Sequence, residues 1–233
     1  MAELDAGLLA ALGRRRPRVA ILPTAMYPNG EEAFQRGAAM GVAHFGALGA
    51  EVEPVLVRTR SDADDAAAVQ ALAEADLIYL SGGRPGYLIR TLEATAVGGA
   101  IGAAHQRGVT LAGCAAGAMV LAARTFDFRM RPLPWPLRWR AGLDLVPGAS
   151  VLPSYDTLPE PICALMVLQA RRGSVVLGID EGTAAVGQDG LWRVHGRSRV
   201  TVWWGRGRDR YRAGDMFRLE SGEPDRPGRP IRA

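Results

Sequence analysis

The sequence predicts an α/β fold: a mostly parallel sheet with helices on both faces, followed by antiparallel strands. Two observations carry this. Short apolar, β-rich runs alternate with longer stretches of helical periodicity through the first half of the chain. In addition, the run Val109 to Ala112 passes through Gly113-Cys114-Ala115-Ala116-Gly117 into a further helical stretch, which is strand, tight turn and helix in immediate succession.

Taken in order, Arg18 to Pro23 reads as a strand closed by proline, and Glu31 to Leu48 as a helix with Phe34, Met40, Val42 and Phe45 at helical spacing. Glu51 to Val57 is a second strand. Ser61-Asp62-Ala63-Asp64-Asp65 opens a helix running through Ala75, with Ser61 as its cap and carboxylates at the positive end of the helix dipole. Leu77 to Leu80 is a third strand ending at Ser81-Gly82-Gly83, and Val109 to Ala112 is the fourth. In such a sheet ligands collect at the carboxyl ends of the strands. The loops Thr24 to Gly30, Gly82 to Tyr87 and 113–117 should therefore lie together.

Further along, Arg124 to Arg140 interleaves Pro132, Pro134 and Pro136 with Trp135 and Trp139. Proline at that density excludes regular helix or central strand, and the segment is expected to be irregular, a lid or flank that either holds a ligand or covers apolar surface. Leu158 to Arg171 reads as a helix and Ser174 to Asp180 as a buried strand. Thr183 to Val186, Leu191 to His195 and Val200 to Trp204 read as a meander turned at Gln188-Asp189-Gly190. Tyr211 to Leu219 adds a last strand, and Ser221 to Ala233 is expected to be a flexible tail. The length of 233 residues suits one domain: a core of about 17–204, a basic, flexible N-terminus over 1–16 and an extension over 205–233.

Composition narrows the function. The formal charge of +4 comes from 28 Lys+Arg against 24 Asp+Glu. All of these cations are arginine, which points to coding bias more than to a binding signal. Many of them lie in Arg14-Arg15-Arg16-Pro17-Arg18 and after Gly205; such ends are solvated termini or docking points for acidic surfaces. No interleaving of aromatic and basic residues supports a nucleic-acid partner. Cys114 and Cys163 make neither a metal spacing nor a disulfide framework. Residues 1–16 carry their arginines after the short apolar run, the wrong order for a secretory signal, and no apolar stretch reaches the ~18 residues of a membrane span. A soluble, cytoplasmic protein without membrane partner, metal or cofactor is the expectation.

Gly113 and Gly117 flank Ala115 at two residues on each side, the spacing of a nucleophile elbow, where the central side chain stands on a strained turn between strand and helix. The oxyanion donors of such an elbow come from an adjacent glycine loop and from the residue after the nucleophile, here Gly83 and Ala116. Alanine carries no nucleophile.

Four motifs in order, Leu-Ser-Gly-Gly (80–83), Ala-Gly-Cys-Ala-Ala-Gly-Ala-Met (112–119), Val-Leu-Pro-Ser-Tyr-Asp (151–156) and Gly-Ile-Asp-Glu-Gly-Thr-Ala (178–184), resemble the cyanophycinase and α-aspartyl dipeptidase (dipeptidase E) family of serine peptidases. That family shares the fold of class I glutamine amidotransferase domains, a three-layer αβα sandwich. The similarity runs from about Pro17 to about Trp204. The resemblance implies serine at the position of Ala115, histidine at the position of Ser154 and an acidic third member, retained as Glu181. It also implies glutamine where Pro85 stands. Two triad positions are thus vacant, and the two losses are chemically linked, because a base has no use without a hydroxyl to deprotonate.

The reading that follows is a peptidase-family protein that has lost hydrolysis and binds a small molecule, a peptide or a partner protein in the relict pocket. The alternatives are an active peptidase or amidohydrolase on aspartyl peptides using non-standard residues, and a purely structural subunit; a homodimer is open. For rescue, Cys114 is read as a buried structural thiol, and His44, His105 and His195 as misplaced for a base. Ser154 lacks an activating lysine. Arg84, on the facing loop, is the expected partner for the Glu181 carboxylate.

Overall fold

The computed structural model describes residues 2–127, 136–170, 174–205, 207–219 and 231–232. The chain divides into two compact units, Ala2–Leu121 and Ala122–Ala233.

The first unit is an α/β layer structure. Its strands β1 (Arg18–Leu22), β2 (Glu51–Pro54), β3 (Leu77–Leu80) and β4 (Thr110–Gly113) form one parallel sheet in the order β2-β1-β3-β4. Such an order reverses direction between β1 and β3, where doubly wound folds open a crevice at the strand carboxyl ends. Alternate side chains then meet helices on opposite faces. Val19, Ile21 and Leu77 join Leu9 of α1 (Ala2–Ala11) and Phe45 of α2 (Glu31–Ala47) in one apolar cluster, with Tyr79 and Ala112 against it. Leu22, Ile78 and Leu80, fully buried, fill the other face.

Helix α2 forms where expected: Glu31 and Glu32 sit in its first turn and Phe34, Gly37, Ala38 and Phe45 on its buried face. The next helix starts later than expected. Ser61 precedes a 3-10 turn, Asp62–Asp64, and α3 (Ala66–Glu74) is capped by Asp65, whose carboxylate accepts from the Ala67 amide at 3.0 Å. Both residue types cap well, so composition alone did not choose between them. Residues 85–92, expected to begin in a loop, form α4 (Pro85–Leu92) with proline in its first turn, where a missing N–H costs nothing. Helix α5 (Ala96–Gln106) then leads back to β4. The N-terminal stretch expected to be flexible is helical over Ala2–Ala11, with Leu9 buried, Asp5 on His44 at 2.8 Å and Arg14 on Asp76 at 2.8 Å.

The second unit holds a six-stranded mixed sheet in the order β12-β11-β8-β7-β5-β6. Its members are β5 (Ala122–Asp127), β6 (Arg138–Ala141), β7 (Val146–Pro153), β8 (Val175–Ile179), β11 (Arg199–Trp204) and β12 (Gly207–Arg212). The arms of the segment 124–140 are therefore strands, antiparallel across Thr125–Arg140 and Phe126–Trp139; Pro132, Pro134 and Trp135 lie outside the described residues. Helix α7 (Glu160–Val167) is shorter than its sequence signal.

The antiparallel C-terminal strands are present, with one change in pairing. Strands β9 (Thr183–Gln188) and β10 (Leu191–Gly196) form a hairpin over Asp189 and Gly190, both at positive φ, the conformation of the tightest hairpin turns. Strand β11 leaves the meander and pairs with β8 and β12 instead. Strand β10 pairs with β13 (Met216–Arg218), which continues to β14 (Ile231–Arg232), so residues 211–219 contribute to two strands rather than one. Apart from β14, the expected tail lies outside the described residues.

Candidate functional site

In the first unit three loops meet at the carboxyl ends of β1, β3 and β4. The Ser81 amide donates to the Leu22 carbonyl at 3.0 Å and the Arg84 amide to the Ala25 carbonyl at 2.8 Å, which locks the β3 loop onto the β1 loop. Gly83 has a φ of 137°, and a methyl group there would run into the Ala25 carbonyl and lie 2.8 Å from the Met26 amide. Only glycine fits both demands. The amides of Gly83 and Ala116 donate to no backbone carbonyl among the described residues, which leaves two N–H groups able to receive an oxyanion or carboxylate.

The third loop is the elbow. Strand β4 ends at Gly113, the Cys114 amide extends the ladder to the Leu80 carbonyl at 3.1 Å, and Ala115 turns at a φ of 45° into α6 (Ala116–Leu121). A positive φ in a residue with a Cβ costs on the order of 1–3 kcal/mol and persists only where the surroundings enforce it. Here the flanking glycines allow it. A methyl group on Gly113 would lie 2.6 Å from the Gly117 carbonyl carbon, and one on Gly117 would overlap the Leu80 carbonyl oxygen. Ala115 is exposed at the apex.

Cys114 is exposed too, which corrects the expectation of a buried thiol. A methyl group at Gly82 would lie 3.4 Å from the Ala115 Cβ and 3.7 Å from the Cys114 Sγ, so both side chains face the glycine loop rather than the following helix. Burial, and then the adjacent Cys114 thiol, push the Tyr79 phenol well above its usual range. Cys163 is the reverse case: fully buried, its thiol is pushed up to about 11, chiefly by desolvation. Brief treatment of the folded protein with iodoacetamide should therefore alkylate Cys114 alone, read by peptide mass spectrometry. Equal labelling of Cys163 would contradict this burial.

The remaining triad-related positions lie in the second unit, on neighbouring loops. Strands β7 and β8 are parallel, with Pro153 opposite Ile179, so Ser154 and the pair Asp180-Glu181 leave adjacent carboxyl ends. Ser154 sits at φ 49° and ψ 45°, and its carbonyl accepts from the Thr157 amide at 3.1 Å and the Thr157 hydroxyl at 2.7 Å. The turn is anchored by Tyr155, whose ring lies against Gly178 and whose hydroxyl accepts from Trp203 Nε1 at 3.2 Å. The Glu181 amide donates to Asp156 Oδ1 at 2.9 Å, tying the two loops together. Asp180 is 3% exposed, and its Oδ2 accepts from Ser198 Oγ at 2.7 Å and lies 3.3 Å from Arg199 Nε. Asp156 and Asp180 are the supports that sequence reasoning passed over, although both stand inside quoted motifs beside the residues they hold.

The Glu181 and Arg84 side chains are exposed, and among the described residues neither makes a hydrogen bond or ion pair within its own unit. The histidines have other places: His44 on Asp5 and edge-on to Phe45, His105 near the C-terminus of α5 and His195 on β10. No group of three or more His, Cys, Asp or Glu side chains suited to a metal ion occurs among the described residues, and no described helix is long and apolar enough to cross a membrane.

Comparison with known proteins agrees with this architecture. A peptidase from an acI-B1 Actinobacterium is 30% identical over 94% of this chain and 91% of its own, with a TM-score of 0.82. A peptidase E-type protein from Listeria monocytogenes EGD-e, 18% identical over 90% of this chain and 94% of its own, superposes with a TM-score of 0.56 and supports the fold. A search of curated proteins finds no match. The profile of peptidase family S51 matches residues 1–194, and the chain belongs to that family.

Proposed function

We propose that this member of the S51 peptidases has lost serine-type hydrolysis and acts as a ligand- or partner-binding protein whose binding site is the elbow and its glycine loop. The observation that carries this reading is the state of residue 115. The backbone strain that serves to present a nucleophile is kept, at a φ of 45° between two obligatory glycines, while the side chain it presents is a methyl group. The strain then serves the shape of the loop and its two amides, not attack on a carbonyl. The test uses the intact protein with Asp-X dipeptides and β-aspartyl-arginine, following free amine release and binding by calorimetry. Saturable binding without turnover, and no labelling by a fluorophosphonate, is expected. Turnover accompanied by fluorophosphonate labelling would overturn the proposal.

A second reading, hydrolysis by a non-standard nucleophile, is favoured by the exposed Cys114 thiol beside Gly82. It requires wild-type turnover that disappears in Cys114→Ala and after alkylation.

A further inference from the structure

We infer that two joined loops at the carboxyl end of β8 form a binding site for a small zwitterion, a molecule carrying both an ammonium and a carboxylate, with Glu181 and Arg197 as its two contacts. The inference concerns the second unit alone and is independent of the elbow. The first loop, Asp180-Glu181-Gly182, leaves β8, and the second, Arg197-Ser198, enters β11. They are zipped together by the Arg197 amide on the Gly182 carbonyl at 3.1 Å, the Ser198 amide on Thr183 Oγ1 at 3.1 Å and the Asp180 amide on the Arg199 carbonyl at 3.2 Å. Asp156 Oδ1, on the loop after β7, holds the Glu181 amide at 2.9 Å. Backbone tied at this many points fixes where the Glu181 and Arg197 side chains start.

Gly182 supplies the platform. Its φ is 66°, and a methyl group there would lie 2.5 Å from Arg197 Nε and 3.2 Å from its Cζ, so the guanidinium group rests on the glycine, where any side chain would hold it off. Glu181 directly precedes that glycine. Both side chains are exposed, and among the described residues neither charged group makes a hydrogen bond or an ion pair. The other opposite charges of these loops are already joined: Asp180 Oδ2 accepts from Ser198 Oγ at 2.7 Å and lies 3.3 Å from Arg199 Nε. What remains at Gly182 is one carboxylate and one guanidinium, close in the fold and unpaired. An anion alone would meet Glu181 and a cation alone Arg197, so the pair selects a ligand that answers both charges. Its ammonium would donate to Glu181, and its carboxylate would accept the parallel N–H groups of the Arg197 fork. A free amino acid is the smallest molecule with both groups; a short unblocked peptide carries the same two groups further apart.

The experiment is a nuclear magnetic resonance titration of the isotope-labelled full chain, following the amides of Glu181, Gly182 and Arg197. The ligands are L-alanine and L-alanyl-L-alanine, each with its C-terminal amide and its N-acetyl analogue. Saturable binding of a zwitterion is expected, and whichever of the two binds more tightly identifies the free amino acid or the short peptide as the ligand. The amide, which lacks the carboxylate, and the N-acetyl analogue, which lacks the ammonium, should each bind at least about tenfold more weakly, as for one lost charge-assisted contact. Arg197→Gln should abolish the preference for the zwitterion over its amide, and Glu181→Gln the preference over its N-acetyl analogue; both positions are exposed, so the fold is kept. Gly182→Ala removes no charge but displaces the guanidinium, and should weaken the zwitterion as Arg197→Gln does. No saturable binding of either zwitterion, a blocked analogue that binds as tightly as its parent, or preferences that survive Arg197→Gln and Glu181→Gln would each overturn the assignment.

Discussion

A protein carrying Ala115→Ser and Ser154→His together should react with a fluorophosphonate and hydrolyse an aspartyl dipeptide, where neither single variant does either. That the two positions belong to one triad is what the family resemblance implies; within its own unit each holds a positive φ. Residue 115 holds a φ of 45° between glycines that admit no side chain, and residue 154 a φ of 49° on a turn pinned by Tyr155 and Thr157. Glu181, the acidic member implied by the family resemblance, is tied by its amide to Asp156. Catalytic groups of this kind act as a unit: loss of the serine or of the histidine alone costs about as much as loss of both, on the order of 10⁶ in kcat in a working serine protease. Recovery will be partial, because Pro85 replaces the family's glutamine and each ~1 Å of misplacement costs on the order of 10²-fold. A gain of about 10² to 10⁴ over either single variant is therefore expected, read by probe labelling and amine release. A double variant no more reactive than Ala115→Ser would mean that more of the site than two side chains has diverged.

What the sequence could and could not reveal follows from how local each signal is. Strands β1, β3 and β4 and helix α2 were legible because their signal is periodicity or a short apolar run. The elbow was legible because two glycines at fixed offsets answer to contacts within one strand, one turn and one helix. The errors concern choices settled elsewhere in the chain. Ser61 and Asp65 are equally good caps, and the bonds of Asp62 Oδ2 to the Arg58 and Thr59 amides, both 2.9 Å, shape the turn that moves the start of α3. Pro85 falls inside the expected loop Gly82 to Tyr87 but stands at a helix start, behind the Gly83–Ala25 clamp. Sequence order puts β11 in the meander, yet Val200 pairs with Ile179 of β8; non-local pairing leaves no local trace. The direction of the Cys114 side chain, toward Gly82, is set by how the elbow lies against the glycine loop after β3, a contact distant in sequence.

Gly117→Ala should be the most destabilising single methyl group that can be added to this elbow, and Gly99→Ala should move stability the other way. A Cβ on Gly117 would overlap the carbonyl oxygen of Leu80, and would lie 2.6 Å from the carbonyl carbon and 2.8 Å from the Leu80 Cβ. Leu80 is itself fully buried, and its carbonyl is held by the Cys114 amide at 3.1 Å. The obstacle is therefore central-strand backbone, not the end of a flexible side chain, and α6 can accommodate the methyl group only by lifting off β3. Overpacking costs about 1–3 kcal/mol where neighbours can shift, and with no such freedom a loss of about 3 kcal/mol or more is expected. For a chain of this size that corresponds to a fall in Tm of about 6–12 °C. Gly99 is exposed within α5, with no heavy atom near a built methyl group. Alanine there removes only unfolded-state entropy and should stabilise by about 0.5–1 kcal/mol. Thermal and urea denaturation of both variants against wild type provide the measurement. A Gly117→Ala protein as stable as wild type would show that the elbow yields, and that its glycines are kept for the shape of a binding site rather than for the integrity of the sheet beneath it.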